Sequence, residues 1–115
     1  MSTATVPAGT LAVATARLFR VLGDPTRLRI LELLLEHSHS VSELVEATAV
    51  AQARVSTHLA CLRWCDFVAT ERRGRQVIYT LRDPDLREVL EAGQTLAAPR
   101  AVHLATCGRI GPEWV

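Results

Sequence analysis

This chain reads as a mainly α-helical domain carrying one small β-hairpin. Three features point to that class. Apolar residues recur at helical spacing over most of the chain. Hydrophobic residues make up 49% of it while aromatics make up only 4%, so the core is aliphatic, built from Leu, Val and Ala. Two β-rich runs meet at an arginine-flanked glycine, Arg73-Gly74-Arg75. A chain of 115 residues makes one small domain, of a size often completed by self-association.

Residues 1–8, with Pro7 and several Ser and Thr, read as a flexible arm, residues 9–97 as the domain and residues 98–115 as a C-terminal tail. From Gly9 to Leu22 a stripe of Leu11, Ala14, Leu18 and Val21 or Leu22 predicts the first helix, with a break at Gly23. Asp24-Pro25 supplies an N-cap and a first-turn proline. The helix they start, Thr26 to His37, carries Leu28, Ile30, Leu31, Leu33, Leu34 and Leu35 and is apolar nearly all round, as a central core helix is. His37 and His39 after it read as a solvated loop. Ser40 or Ser42 caps a short third helix, with Glu43 placed as the capping-box partner of Ser40. Ala49 stands in the connection that follows, at a position where a left-handed backbone costs alanine about 1 kcal/mol. The fourth helix runs from Gln52 to Cys65, and its polar front end behind a short helix and tight connection makes a helix-turn-helix pattern. Phe67 to Arg72 and Arg75 to Leu81 form the hairpin. Asp83-Pro84 caps a last helix through Ala97, with Leu86, Val89, Leu90 and Leu96 apolar. Pro99 and Gly108 to Pro112 suggest an irregular tail. The order of elements is that of a winged helix-turn-helix.

The three cysteines divide into one pair four residues apart, Cys61 and Cys65, and Cys107 in the tail. Four residues at 3.6 per turn leave two side chains about 40° apart around the axis and about 6 Å apart along it. Both thiols of the pair therefore face one way. Their Cβ separation of about 5–6 Å suits ligation of one ion better than a disulfide, which wants about 3.5–4.5 Å. Cys107 is able to complete a three-sulfur site. Three thiolates suit large soft ions such as Cd(II) and Pb(II); Zn(II) wants a fourth ligand, which His103 is placed to supply if its segment is helical. The competing reading makes Cys61 and Cys65 small buried hydrophobes.

The net charge of +1 says little, but all 13 basic residues are arginine. Arginine suits phosphate and base-edge recognition, and an arginine-only set also follows from a GC-rich genome. An odd cysteine count and a Met1 to Ala16 stretch without a basic region followed by an apolar core point to the cytoplasm, with thiols kept reduced. No apolar run approaches the roughly 20 residues needed to cross a bilayer, and nothing points to a small organic substrate.

The phrases Leu22-Gly23-Asp24-Pro25-Thr26-Arg27-Leu28-Arg29-Ile30-Leu31 and Val55-Ser56-Thr57-His58-Leu59-Ala60-Cys61-Leu62, followed by Gly74-Arg75-Gln76-Val77-Ile78-Tyr79, closely resemble the ArsR/SmtB family of bacterial metal-responsive repressors. The resemblance covers residues 15 to 95. Val41-Ser42-Glu43-Leu44 lacks the thiols some members hold in the third helix, and no histidine lies between Asp83 and Gln94, where zinc sensors hold theirs. The CmtR-type cadmium/lead branch is matched instead, with Cys-x-x-x-Cys ending the recognition helix and a cysteine in the tail. The resemblance thus implies metal ligands at Cys61, Cys65 and Cys107.

It also implies a homodimer, held by the first and last helices, on a two-fold symmetric operator in double-stranded DNA. Gln52, Arg54, Ser56, Thr57 and His58 are the candidates for base and phosphate contact, and Arg72, Arg73 and Arg75 put positive charge at the wing tip. Either set also reads as an ordinary solvated surface. Metal ties the recognition helix to the tail and lifts repression. Rival readings keep the fold and sense As(III) or thiol oxidation, or make it a protein-interaction winged helix without DNA contact. A thiol enzyme with Cys65 as nucleophile lacks a His-Asp pair in the sequence pattern.

Overall fold

The computed structural model describes residues 6–110. Its helices are α1 (Ala8–Leu22), α2 (Pro25–Glu36), α3 (Val41–Thr48), α4 (Gln52–Trp64), α5 (Pro84–Ala97) and, beyond a 3₁₀ turn at Ala98–Arg100, α6 (Ala101–Thr106). Three short strands, β1 (His39–Ser40), β2 (Val68–Arg73) and β3 (Gln76–Leu81), form an antiparallel sheet in the order β1-β3-β2. This is a winged helix-turn-helix, with the hairpin of β2 and β3 as the wing.

Local chemistry sets the helix starts. The Asp24 carboxylate accepts from the Arg27 backbone N–H at 3.0 Å, with Pro25 in the first turn. At α3 the capping box forms in full: Glu43 N–H donates to Ser40 Oγ at 3.2 Å and Ser40 N–H donates to Glu43 Oε1 at 2.8 Å. The Ser40 N–H, and after it the Ser40 hydroxyl, hold the Glu43 carboxyl below the usual carboxylate range. Asp83 caps α5 through the Asp85 N–H at 2.8 Å. Ala49 does take the left-handed conformation, at φ 57°, where α3 ends and its N–H reaches the Val45 carbonyl.

The core is aliphatic, as expected. Ile30, Leu31, Leu33 and Leu34 of α2 are buried among Leu44, Val55, Leu59, Leu62, Val68, Leu86 and Leu90, so α2 is the central helix. Two polar bonds pin α5 to α2 at the surface: Arg87 Nη1 donates to the Leu35 carbonyl at 2.9 Å and Gln94 Nε2 to Glu32 Oε2 at 3.0 Å.

Two expectations need correction. His39 is not in a solvated loop: it is buried, it pairs with Tyr79 in β1, and its Nδ1 lies 2.8 Å from the His37 carbonyl. A two-residue strand carries no periodicity that would reveal it. The tail is not wholly irregular, since Ala101–Thr106 is helical; its run of Ala, Val and Leu favours that, and only Gly108 breaks it. The apolar stripe of α1 meets the core only toward its C-terminal end, where Leu22 is buried and Leu18 and Val21 pack against it, while Leu11, Val13 and Phe19 are exposed. Leu96 of α5 is likewise 64% exposed. Between α1, α2 and α5 these helices leave an open apolar groove of about 350 Å³, lined by Phe19, Leu22, Leu28, Val89, Leu90 and Ala97.

Candidate nucleic-acid interface and thiol pair

Helix α4 has an inner face of Val55, Leu59 and Leu62, buried against α2 and α3. Its opposite face is open. Gln52, Arg54, Ser56 and Thr57 are all exposed, as the helix-turn-helix reading requires. At the wing, Arg72, Arg73 and Arg75 are exposed around Gly74, whose φ of +62° opens the two-residue turn between Arg73 and Gln76. Arg73 Nη2 donates to Glu71 Oε2 at 3.2 Å, an exposed pair that costs little to break.

His58 is less exposed than the rest of that row. Its side chain is only 16% exposed and turns back toward the start of α2. There Nδ1 lies 3.5 Å from Arg27 Nη1 and Nε2 lies 4.0 Å from Asp24 Oδ2. A guanidinium only donates, so the neutral ring that suits both neighbours accepts at Nδ1 and points its Nε2–H at Asp24. Burial works to raise the Asp24 pKa, but it is outweighed by the Arg27 N–H bond, the Arg27 charge and His58, and the carboxyl sits below its ordinary range. Arg27 Nε also donates to the Val21 carbonyl at 3.0 Å, so this one side chain joins the end of α1, the start of α2 and the flank of α4. Sequence reading missed Arg27 and treated Asp24 only as a cap. No local pattern marks a pairing across 31 residues.

Cys61 and Cys65 meet as expected. The Cys65 N–H donates to the Cys61 carbonyl at 3.0 Å, both residues are half-buried, and the i, i+4 spacing sets their side chains on one face. Cys65 is also fixed by the way α4 ends. Asp66 N–H donates to the Arg63 carbonyl and Phe67 N–H to that of Leu62, both at 3.0 Å, with Asp66 left-handed at φ 62°. That pair of bonds is a Schellman cap, which closes the helix immediately after the second thiol. Burial, and then the neighbouring Cys61, push the Cys65 thiol above its ordinary range.

Cys107 follows α6, half-buried, and His103 lies exposed within α6. Among the described residues, no three His, Cys, Asp or Glu side chains of one protomer are grouped so as to hold a metal ion, so the fold joins Cys61 to Cys65 and does not bring Cys107 to them. The donor set that is assembled, two adjacent half-buried thiols, suits a soft ion and leaves its coordination to be completed.

Residues 24–70 match the model of the arsR family of bacterial regulatory proteins. A probable mercury resistance operon repressor of Streptomyces lividans is 40% identical over 113 residues, which are 98% of this chain and 90% of that protein. The solved structure of the cadmium sensor CmtR from Mycobacterium tuberculosis superposes with a TM-score of 0.58 at 43% identity, covering 67% of this chain and 80% of that one. The homodimeric winged helix-turn-helix domain Mb0332 of Mycobacterium bovis, at 24% identity and a TM-score of 0.72 over 85% of this chain and 91% of its own, shares the fold. The chain belongs to the arsR family, whose members are DNA-binding transcriptional regulators rather than enzymes. Among the described residues no helix is long and apolar enough to cross a membrane.

Proposed function

We propose that this chain is a cytoplasmic repressor that binds operator DNA as a homodimer and is released by a soft heavy-metal ion, Cd(II) or Pb(II), held by Cys61, Cys65 and Cys107. The observation that carries this reading is the thiol pair on the last turn of the recognition helix. Ligation there acts on the element that reads DNA, so a difference in metal affinity between the free and DNA-bound states is a difference in operator affinity. Cys107 reaches the pair from the partner protomer or by movement of its own tail. Exposed Gln52, Arg54, Ser56 and Thr57 face the groove, with Arg72, Arg73 and Arg75 on the flanking backbone. The exposed apolar residues of α1 and α5 supply the dimer contact. Zn(II) is the weaker inducer, because it needs a fourth donor such as His103.

A second reading is favoured by the pair standing without Cys107 in one protomer and by the similarity to a mercury resistance repressor. Hg(II) is satisfied by two thiolates, so Cys61 and Cys65 alone would hold it.

Ultraviolet titration of the reduced protein with Cd(II), Pb(II) and Hg(II) tests both. Thiolate-to-metal bands that saturate at one ion per protomer and weaken in Cys61→Ser, Cys65→Ser and Cys107→Ser support the three-thiolate site. Hg(II) bands indifferent to Cys107→Ser, with no Cd(II) or Pb(II) response, support the second reading. Absence of any band leaves the signal unrelated to metal.

A further inference from the structure

Helix α4 carries Arg54, His58, Cys61 and Cys65 at spacings of four, three and four residues, which places them within about 60° of arc along one edge. That edge runs from the exposed front of the helix to the thiol pair, and at its middle His58 is held by a residue of another element. Arg27 donates from Nε to the Val21 carbonyl at 3.0 Å and stands 3.5 Å from His58 through Nη1. The guanidinium is a fixed charge that spans three helices.

We propose that Arg27 is a positioning residue that passes the ligation state of the Cys61–Cys65 pair to the recognition helix. In the metal-free protein Arg27 braces α4 against the junction of α1 and α2 through His58. Three thiols that release their protons to solvent and take one divalent ion become a centre of net charge −1 on the same edge of α4. Arg27 then turns toward that charge, gives up His58 and the Val21 carbonyl, and frees α4 to shift relative to α1 and α2. His58 and Cys61 stand one turn apart on that edge, so the Arg27 contact and the thiol pair share one stretch of α4. The inference rests on the metal-released repressor reading and adds the side chain through which the two sites communicate.

The experiment measures operator affinity by fluorescence anisotropy, with and without one equivalent of Cd(II) per protomer. It uses the full reduced chain and a labelled duplex selected from a random-sequence library by the metal-free protein. Wild type is compared with Arg27→Gln and with His58→Leu, which removes the same contact from the α4 side should Arg27→Gln fail to fold. The quantity read is the ratio of the two affinities, which does not depend on any change in basal binding. Wild type should lose about tenfold or more on adding Cd(II), within the usual range of such couplings. Each folded variant should keep the ultraviolet Cd(II) band while its ratio falls below about threefold. Variants with a wild-type ratio overturn this inference alone. Variants that lose the Cd(II) band also overturn it, because Arg27 would then serve metal binding and not its transmission. A wild-type ratio near one overturns the metal-released reading, and this inference with it.

Discussion

The Cys65 N–H donates to the Cys61 carbonyl at 3.0 Å, which sets the two thiols on consecutive turns at the closing cap of α4. Burial and the adjacent Cys61 raise the Cys65 thiol pKa, and ligation needs the thiolate, so metal binding competes with protons over the neutral range. Apparent Cd(II) affinity should fall steeply as pH drops, with protons released on binding, as isothermal titration in buffers of different ionisation enthalpy would show. For the metal-free protein the sign is opposite. A thiol pKa raised by folding adds stability below the ordinary thiol range, and that stability is lost as pH rises through the folded value. Denaturation curves at alkaline pH should therefore show a loss that Cys65→Ser removes; an identical loss in both proteins would contradict it.

At the wing, Arg73 is tethered to Glu71 while Arg75 is exposed. Replacing Arg73 and Arg75 with Ala should weaken DNA binding and flatten its dependence on salt by about 1 in log–log slope for each phosphate no longer neutralised. Glu71→Gln, which releases Arg73, should do the reverse. A salt slope unchanged in the double variant would remove the wing from the interface.

Ala49 bears a left-handed backbone at φ 57°. That conformation costs an L residue roughly 1–2 kcal/mol, and glycine gives back about 0.5–1 kcal/mol in unfolded-state entropy. Ala49→Gly should then stabilise the protein by up to about 1 kcal/mol, a rise of a few degrees in Tm. Ala49→Val, β-branched in the same conformation, should lower Tm clearly. Urea melts of both would decide whether the connection is strained.

Phe19 of α1 and Leu96 of α5 are 57% and 64% exposed on the helices that flank the apolar groove. A charge at either position, Phe19→Asp or Leu96→Asp, should drive the dimer to monomer in analytical ultracentrifugation and lower operator affinity with it. A dimer that persists in both variants would place the contact elsewhere.

How far each feature was legible depends on the range of the interaction behind it. Asp24-Pro25, the Ser40–Glu43 box, Asp83-Pro84 and Gly74 each act within a few residues, so the elements they start or turn are readable from the chain. The i, i+4 relation of Cys61 to Cys65 is of the same kind, since helix geometry alone fixes it. The surroundings of His58 were not legible because its neighbours in sequence are exposed polar residues, whereas its partners, Asp24 and Arg27, lie more than thirty positions away. The stripe of α1 shows a related limit: periodicity reveals which face is apolar and says nothing about what covers it.

Local periodicity, capping and helix pitch dictate the helical order, the hairpin wing, the aliphatic core centred on α2 and the pairing of two thiols on one face of α4, so the chain alone is enough to specify these. Packing decides the rest: that His39 pairs with Tyr79, that Cys107 is not gathered with the thiol pair within one protomer, and that Arg27 joins α1, α2 and α4. Those depend on which distant segments the folded core brings together, and no residue's immediate neighbours encode it.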